Sequence, residues 1–221
     1  MPKAKGDDIN PSCDISEIIA QLKNLKASRI RNVVDARLKE FRAVGEKNNN
    51  ELFKELCFCI LTANFSAERA IKIQNEIDAG FITLTEAELA KKLRTLGHRF
   101  PNTRAKYIIQ ARAYKTMLKN VIKNDNNPRE WLVKHIKGIG YKEASHFLRN
   151  IGFEDVAIID FHILDALSSY GLIKKSKART LTRRRYLEIE SLLKSLASNV
   201  GMNLAELDLY LWYIETGKVL K

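Results

Sequence analysis

Apolar residues recur at helical spacing through nearly the whole chain, and the residues standing between these segments are those that start and stop helices. Thr85, followed three residues later by Glu88, forms a capping box ahead of AELAKKLRTL, in which hydroxyl and carboxylate each satisfy a backbone N–H near the helix start. Gly97 closes that segment. Asn127 and Pro128 place a cap and a first-turn proline before REWLVKHI. Ser66, Asp160 and Asn203 are further N-caps, while Gly45, Gly80, Gly171 and Gly217 fall where helices should end. The alternation of a half-buried strand is scarce, and VAII before Asp160 is the one extended run. The pattern predicts an all-α protein of about ten helices with short connections and no internal repeat. EKNNN and KNDNN are polar turns at helix boundaries, too short to tether domains.

A helical chain of 221 residues can bury a core without disulfides or metal staples. No apolar stretch approaches the roughly 20 residues of a membrane span, and MPKAKGDDINPSCD lacks the apolar run of a secretory signal, so an intracellular protein without a membrane partner is expected. Thirty-eight Lys and Arg against 26 Asp and Glu leave a net charge of +12, which points to a polyanion. Because the charge is spread along several segments, nucleic acid is favoured over an anionic membrane. The run KKSKARTLTRRR, from Lys174 to Arg185, holds seven cations and is either a solvated face or an edge that contacts phosphates. Of the three cysteines, Cys57 and Cys59 sit in the apolar LFKELCFCIL as small hydrophobes, and Cys13 stands apart. With no cysteine quartet and no HxxxH among His98, His135, His146 and His162, neither a bound metal nor a cofactor is expected.

The most informative stretch is WLVKHIKGIGYKEASHFLRNIG, where one amphipathic helix runs into Lys137-Gly138-Ile139-Gly140 and another follows at once. Two glycines around an aliphatic residue make a tight turn with positive φ, whose amides, with the N-terminus of the second helix, offer an anion site suited to a DNA phosphate. Lys142 falls in the first turn of that second helix, where the macrodipole disfavours a cation by about 1 kcal/mol or less. It is either a nucleophile desolvated by a cleft or a lysine on a DNA-facing basic helix. Asp160 follows VAII and precedes FHILDAL, so its carboxylate caps a helix and stays ionised at neutral pH. A capping role alone would explain it. An amine with an ionised carboxylate is also the pair needed to break an N-glycosidic bond, one group attacking the sugar and the other stabilising its developing positive charge.

KGIGYK, with Asp160 eighteen residues after its last lysine, resembles the helix-hairpin-helix DNA glycosylase superfamily. CILTANFSAERA resembles the superfamily's early helix-loop-helix, RFPNTRAKYI its central helix start, and LDLYLWYIETGKVLK the compact second class of 8-oxoguanine DNA glycosylase/AP lyase, which ends in a lysine. The resemblance implies an all-α protein of two helical domains with the active-site cleft between them, one built from residues 1–50 and 155–221 and a central one from 51–154 carrying the hairpin. It implies Lys142 as the Schiff-base lysine, Asp160 as the catalytic aspartate, and DNA contacts from the hairpin residues, Arg104 and Asn64, the last filling the gap left by a flipped nucleotide. Asn64 would otherwise cap the helix starting near Ser66. Trp212 and Phe100 are implied to stack on the lesion base or else are core aromatics, and Lys221 is a base-recognition residue or a frayed end. The implied partner is duplex DNA containing an oxidised purine, met by a monomer, with 8-oxoguanine as the lesion; another oxidised base and a noncatalytic hairpin module are the alternatives. The iron–sulfur branch's cysteine cluster is absent, and VAII stands where part of the superfamily has a proline near the aspartate.

Overall fold

A computed structural model describes residues 15–174 and 181–221. Cys13, the polar amino-terminal stretch and residues 175–180 of the basic run lie outside the described residues. Among those described there are thirteen α-helices, one 3-10 segment and no strand. No described helix is long and apolar enough to cross a membrane. The expected count of about ten falls short because short helices escape periodicity: α5 is Gly80–Thr83 and α8 is Leu118–Asn124, reached from α7 (Pro101–Ala111) through the 3-10 segment Arg112–Met117.

Most of the caps stand where the sequence places them. Thr85 and Glu88 close both halves of their capping box at the start of α6 (Glu86–Thr95). Asn127 accepts from Glu130 N–H ahead of α9 (Pro128–His135), and Asn203 accepts from Glu206 N–H ahead of α13 (Leu204–Thr216). Gly80 is a correction, since it opens α5 instead of ending a helix. The preceding helix, α4 (Ala67–Ile77), ends on Asp78 at φ 41°, an unfavourable conformation for a residue with a Cβ, and the Asp78 carboxylate is held 2.6 Å from Lys54 Nζ.

The chain divides into two compact units, Arg37–Val156 with Leu220–Lys221, and Met1–Ala36 with Ala157–Val219. The central unit is built around α3 (Asn49–Thr62), which is apolar on nearly every side: Leu52, Phe53, Leu56, Phe58, Ile60 and Leu61 have no exposed surface. Against it lie α4, α7 and α10 (Tyr141–Asn150), the second hairpin helix. Cys57 and Cys59 are buried here, and burial pushes both thiols well above their ordinary range, which suits packing and not reactivity. In the terminal unit, α13 packs against α1 (Ile15–Lys26), α11 (Phe161–Ser169) and α12 (Arg183–Asn199).

The division corrects the boundary near residue 50, because it falls inside α2 (Ile30–Gly45). The later part of α2 belongs to the central unit for physical reasons. Arg149 lies over the Phe41 ring at 4.6 Å, Arg42 pairs with Glu154 at 2.5 Å, and a Cβ at Gly45 would stand 2.1 Å from the Ile151 carbonyl oxygen. The last two residues also belong to the central unit and not to the terminal one.

Candidate active site

The hairpin joins α9 to α10 through residues 136–140. Gly138 adopts φ +84°, and a Cβ there would collide with the Tyr107 ring at 2.2 Å, so glycine is required twice over. Gly140 departs from expectation: its backbone is extended at φ −101°, and a Cβ would meet the Glu143 carboxylate at an ordinary 3.4 Å. The Ile139 side chain turns into the core and its amide donates to the Ile136 carbonyl, while the Gly140 amide donates to Glu143 Oε2 at 3.2 Å. Two amides expected to be open to a phosphate are therefore engaged within the hairpin. Lys137 is exposed beside them.

Lys142 lies in the first turn of α10, partly buried, with Nζ 3.3 Å from Glu143 Oε1. Glu143 thus holds the turn with one carboxylate oxygen and the lysine with the other, a role that the sequence reading missed although Glu143 stands at the capping-box position three residues past Gly140. Nearby on the same helix, burial drives His146 well below its usual range, reinforced by the cations Arg149, Lys142 and Lys221, so the imidazole is neutral at pH 7.

The turn after α3 carries Asn64, exposed and at φ 57°. It does not cap α4, because Ser66 Oγ accepts from Arg69 N–H and fills that role. The turn is braced from behind. His98 Nε2 meets the Leu61 carbonyl at 3.0 Å, and its Nδ1 accepts from Phe100 N–H at 3.1 Å, which assigns Nε2–H as the donor. Burial lowers the His98 pKa, with Arg104 and Arg69 adding to that shift, in keeping with a neutral ring. Arg104 donates to the Ala63 carbonyl at 2.5 Å and is 7% exposed, so it braces the backbone directly before Asn64. Phe100 is 36% exposed, with the Arg99 guanidinium 5.0 Å from its ring centre, which removes it from the core.

Lys221 is not frayed. Its Nζ lies 2.8 Å from Glu55 Oε2, 2.5 Å from Gln74 Oε1 and 4.2 Å from the centre of the Phe58 ring. Glu55, 5% exposed on the apolar helix α3, also accepts from Asn150 Nδ2 at 2.6 Å and Gln74 Nε2 at 3.2 Å. A carboxylate so deeply placed needs these partners, since an unpaired buried charge costs several kcal/mol.

In the terminal unit, Asp160 is the N-cap of α11, its Oδ1 accepting from Ile163 N–H at 3.1 Å. Trp212 is partly buried and meets the His162 ring edge to face at 4.6 Å. Arg184 and Arg185, at the start of α12, both pair with Glu188, at 2.9 and 3.2 Å.

A glycine turn between two helices, with a lysine in the first turn of the second, makes the chain an all-α helix-hairpin-helix protein. Comparison with known proteins narrows the class. A family model described as 8-oxoguanine DNA glycosylase matches residues 34–202, and the chain belongs to that family. It is 52% identical over 210 residues to the 8-oxoguanine DNA glycosylase/AP lyase of Korarchaeum cryptofilum, spanning 94% of this chain and 99% of that one. The crystal structure of the Methanocaldococcus jannaschii 8-oxoguanine glycosylase/lyase in complex with a 15mer DNA containing 8-oxoguanine matches with a TM-score of 0.90 at 53% identity, covering 93% of this chain and 100% of that one. The 8-oxoguanine DNA glycosylase of Thermotoga maritima matches with a TM-score of 0.89 at 44% identity, covering 94% and 100%.

Proposed function

We infer that this protein is a bifunctional DNA glycosylase/AP lyase that excises 8-oxoguanine from duplex DNA. The observation that carries this reading is Lys142, a partly buried amine just past the hairpin turn, in a chain 53% identical over nearly its whole length to an 8-oxoguanine glycosylase/lyase. In this reading the unprotonated Lys142 Nζ attacks C1′ of the flipped nucleotide, the base departs with the electron pair of the N-glycosidic bond, and the ionised Asp160 stabilises the positive charge developing on the sugar. The sugar ring opens to a Schiff base, which acidifies C2′ and permits β-elimination of the 3′ phosphate. Asn64, on its exposed left-handed turn, is suited to enter the gap in the duplex, and Lys137 with the hairpin to meet its backbone. Phe100 and Trp212 supply aromatic faces for the extruded base. Arg104 acts in this reading by holding the Asn64 turn. The direct test is incubation with an 8-oxoguanine duplex followed by borohydride, which should trap a covalent adduct; an 8-oxoguanine duplex left uncut and untrapped overturns the assignment.

The basic edge at α12 bears on affinity. Replacing Arg183, Arg184 and Arg185 together by alanine should flatten the fall of duplex affinity with rising salt, because that slope counts the phosphates neutralised. An unchanged slope, read by fluorescence anisotropy between low and moderate salt, assigns the edge to solvent.

Lys221 bears on the base. Deleting it should slow excision of 8-oxoguanine about tenfold to a hundredfold, the equivalent of roughly 1 to 3 kcal/mol for polar partners left unmatched. Cleavage of a preformed abasic site needs Lys142 but no base recognition, so it should survive better. Because Glu55 loses its cation, the melting temperature should also fall. Single-turnover rates on the two duplexes, measured well below that melting temperature, separate recognition from general damage: equal losses on both would remove Lys221 from base recognition.

A further inference from the structure

The segment 157–159 delivers Asp160 to the start of α11 without helix or strand structure of its own, and no strand among the described residues lies beside it to take its backbone hydrogen bonds. Two side chains of α12 take that place. Tyr186 and Glu190 stand four residues apart, on one face of the helix. Glu190 Oε1 accepts from Ala157 N–H at 2.9 Å, the Tyr186 hydroxyl donates to the Ala157 carbonyl at 2.6 Å, and the same hydroxyl accepts from Ile159 N–H at 3.3 Å. Three successive inward-facing backbone groups are thereby held as a neighbouring strand would hold them, and the last belongs to the residue directly before Asp160. Tyr186 is 3% exposed, and Ala157 and Ile158 line an apolar pocket with Leu193 and Leu211, so the segment is confined by packing while the hydrogen bonds set its register.

We propose that Tyr186 and Glu190 are positioning residues that aim Asp160, so that base excision depends on a hydroxyl and a carboxylate that never touch the substrate. This rests on the reading of Asp160 as the carboxylate that acts on the sugar. Small errors in the placement of a reacting group are expensive, about a hundredfold in rate per ångström, so a loosened segment should register as a slower chemical step even where the fold survives.

The test uses the full chain and an 8-oxoguanine duplex under single-turnover conditions. Tyr186→Phe keeps the buried ring and removes the hydroxyl. It should slow excision about tenfold while duplex affinity and the circular dichroism spectrum stay as in the parent protein. In an Asp160→Asn background the same change should add almost nothing, because a residue acting through Asp160 has nothing left to aim. Glu190→Gln retains an acceptor for Ala157 N–H and should stay near the parent rate, whereas Glu190→Ala should fall as Tyr186→Phe does. Should Tyr186→Phe fail to fold, the Glu190 pair, repeated in the Asp160→Asn background, carries the same comparison. A slow Asp160→Asn protein alongside parent rates for both Tyr186→Phe and Glu190→Ala overturns the positioning role and leaves Asp160 in place, as does an equal loss in both backgrounds. A parent rate for Asp160→Asn itself instead overturns the reading of Asp160, and the positioning role falls with it.

Discussion

Lys142→Gln is expected to lose both strand cleavage and borohydride trapping, with excision of 8-oxoguanine slowed on the order of 10⁴-fold or more, since glutamine keeps most of the side-chain volume and supplies no nucleophile. The fold should be indifferent to the change. What Lys142 gives up is a partly exposed contact with Glu143 at 3.3 Å, the kind of pair worth about 1 kcal/mol or less. The bond from Gly140 N–H to Glu143 does not involve Lys142, so the hairpin keeps its shape. Duplex affinity should therefore stay within a few-fold of the parent protein, measured by anisotropy on an uncleaved duplex. An adduct trapped at the parent level by the glutamine variant would remove Lys142 from the chemistry and leave it as a lysine of a basic helix.

Asp160→Asn carries the second large effect and separates two roles that the residue combines. Asparagine caps a helix about as well as aspartate, and its amide oxygen can accept from Ile163 N–H as the carboxylate does at 3.1 Å. Melting temperature should thus move by only a few degrees. The lost negative charge cannot be replaced, and removing one preorganised electrostatic partner of a transition state costs about 10² to 10³-fold in rate. Single-turnover excision with a concurrent melting curve reads both. A rate as high as the parent's would reduce Asp160 to its cap.

The separation of cap from chemistry shows how far local sequence reaches. The Thr85 capping box, the Asn127–Pro128 start and the Asp160 and Asn203 caps are legible because each involves residues three apart, whose hydrogen bonds form within one turn whatever the rest of the chain does. Gly80 misleads because a glycine after an apolar segment resembles a helix end, whereas Asp78 takes the strained position and Lys54, more than twenty residues earlier, pairs with its carboxylate. The hairpin was legible as a motif and only half legible as a geometry. Gly138 needs its positive φ and its missing Cβ, while Gly140 is extended and its amide is already bound by Glu143.

By itself, then, the sequence determined the helical class and the hairpin, because periodicity, caps and a glycine turn are properties of residues a few positions apart, while Lys142 and Asp160 are singled out for the proposed chemistry by their match to the helix-hairpin-helix glycosylase pattern. Tertiary structure alone decided what surrounds them. Lys221 reaches Glu55 across 166 residues, Tyr186 reaches Ala157 across 29, and His98 reaches Leu61 across 37. Glu55 sits on α3, whose neighbouring residues are nearly all buried and apolar and announce no charge partner, and Tyr186 has the periodicity of an ordinary core residue. The unit boundary inside α2 has the same origin, since Phe41 and Gly45 find their places only against Arg149 and Ile151. Such contacts arise when packing brings distant elements together, and a buried polar group then has to find its partner wherever the fold has put one.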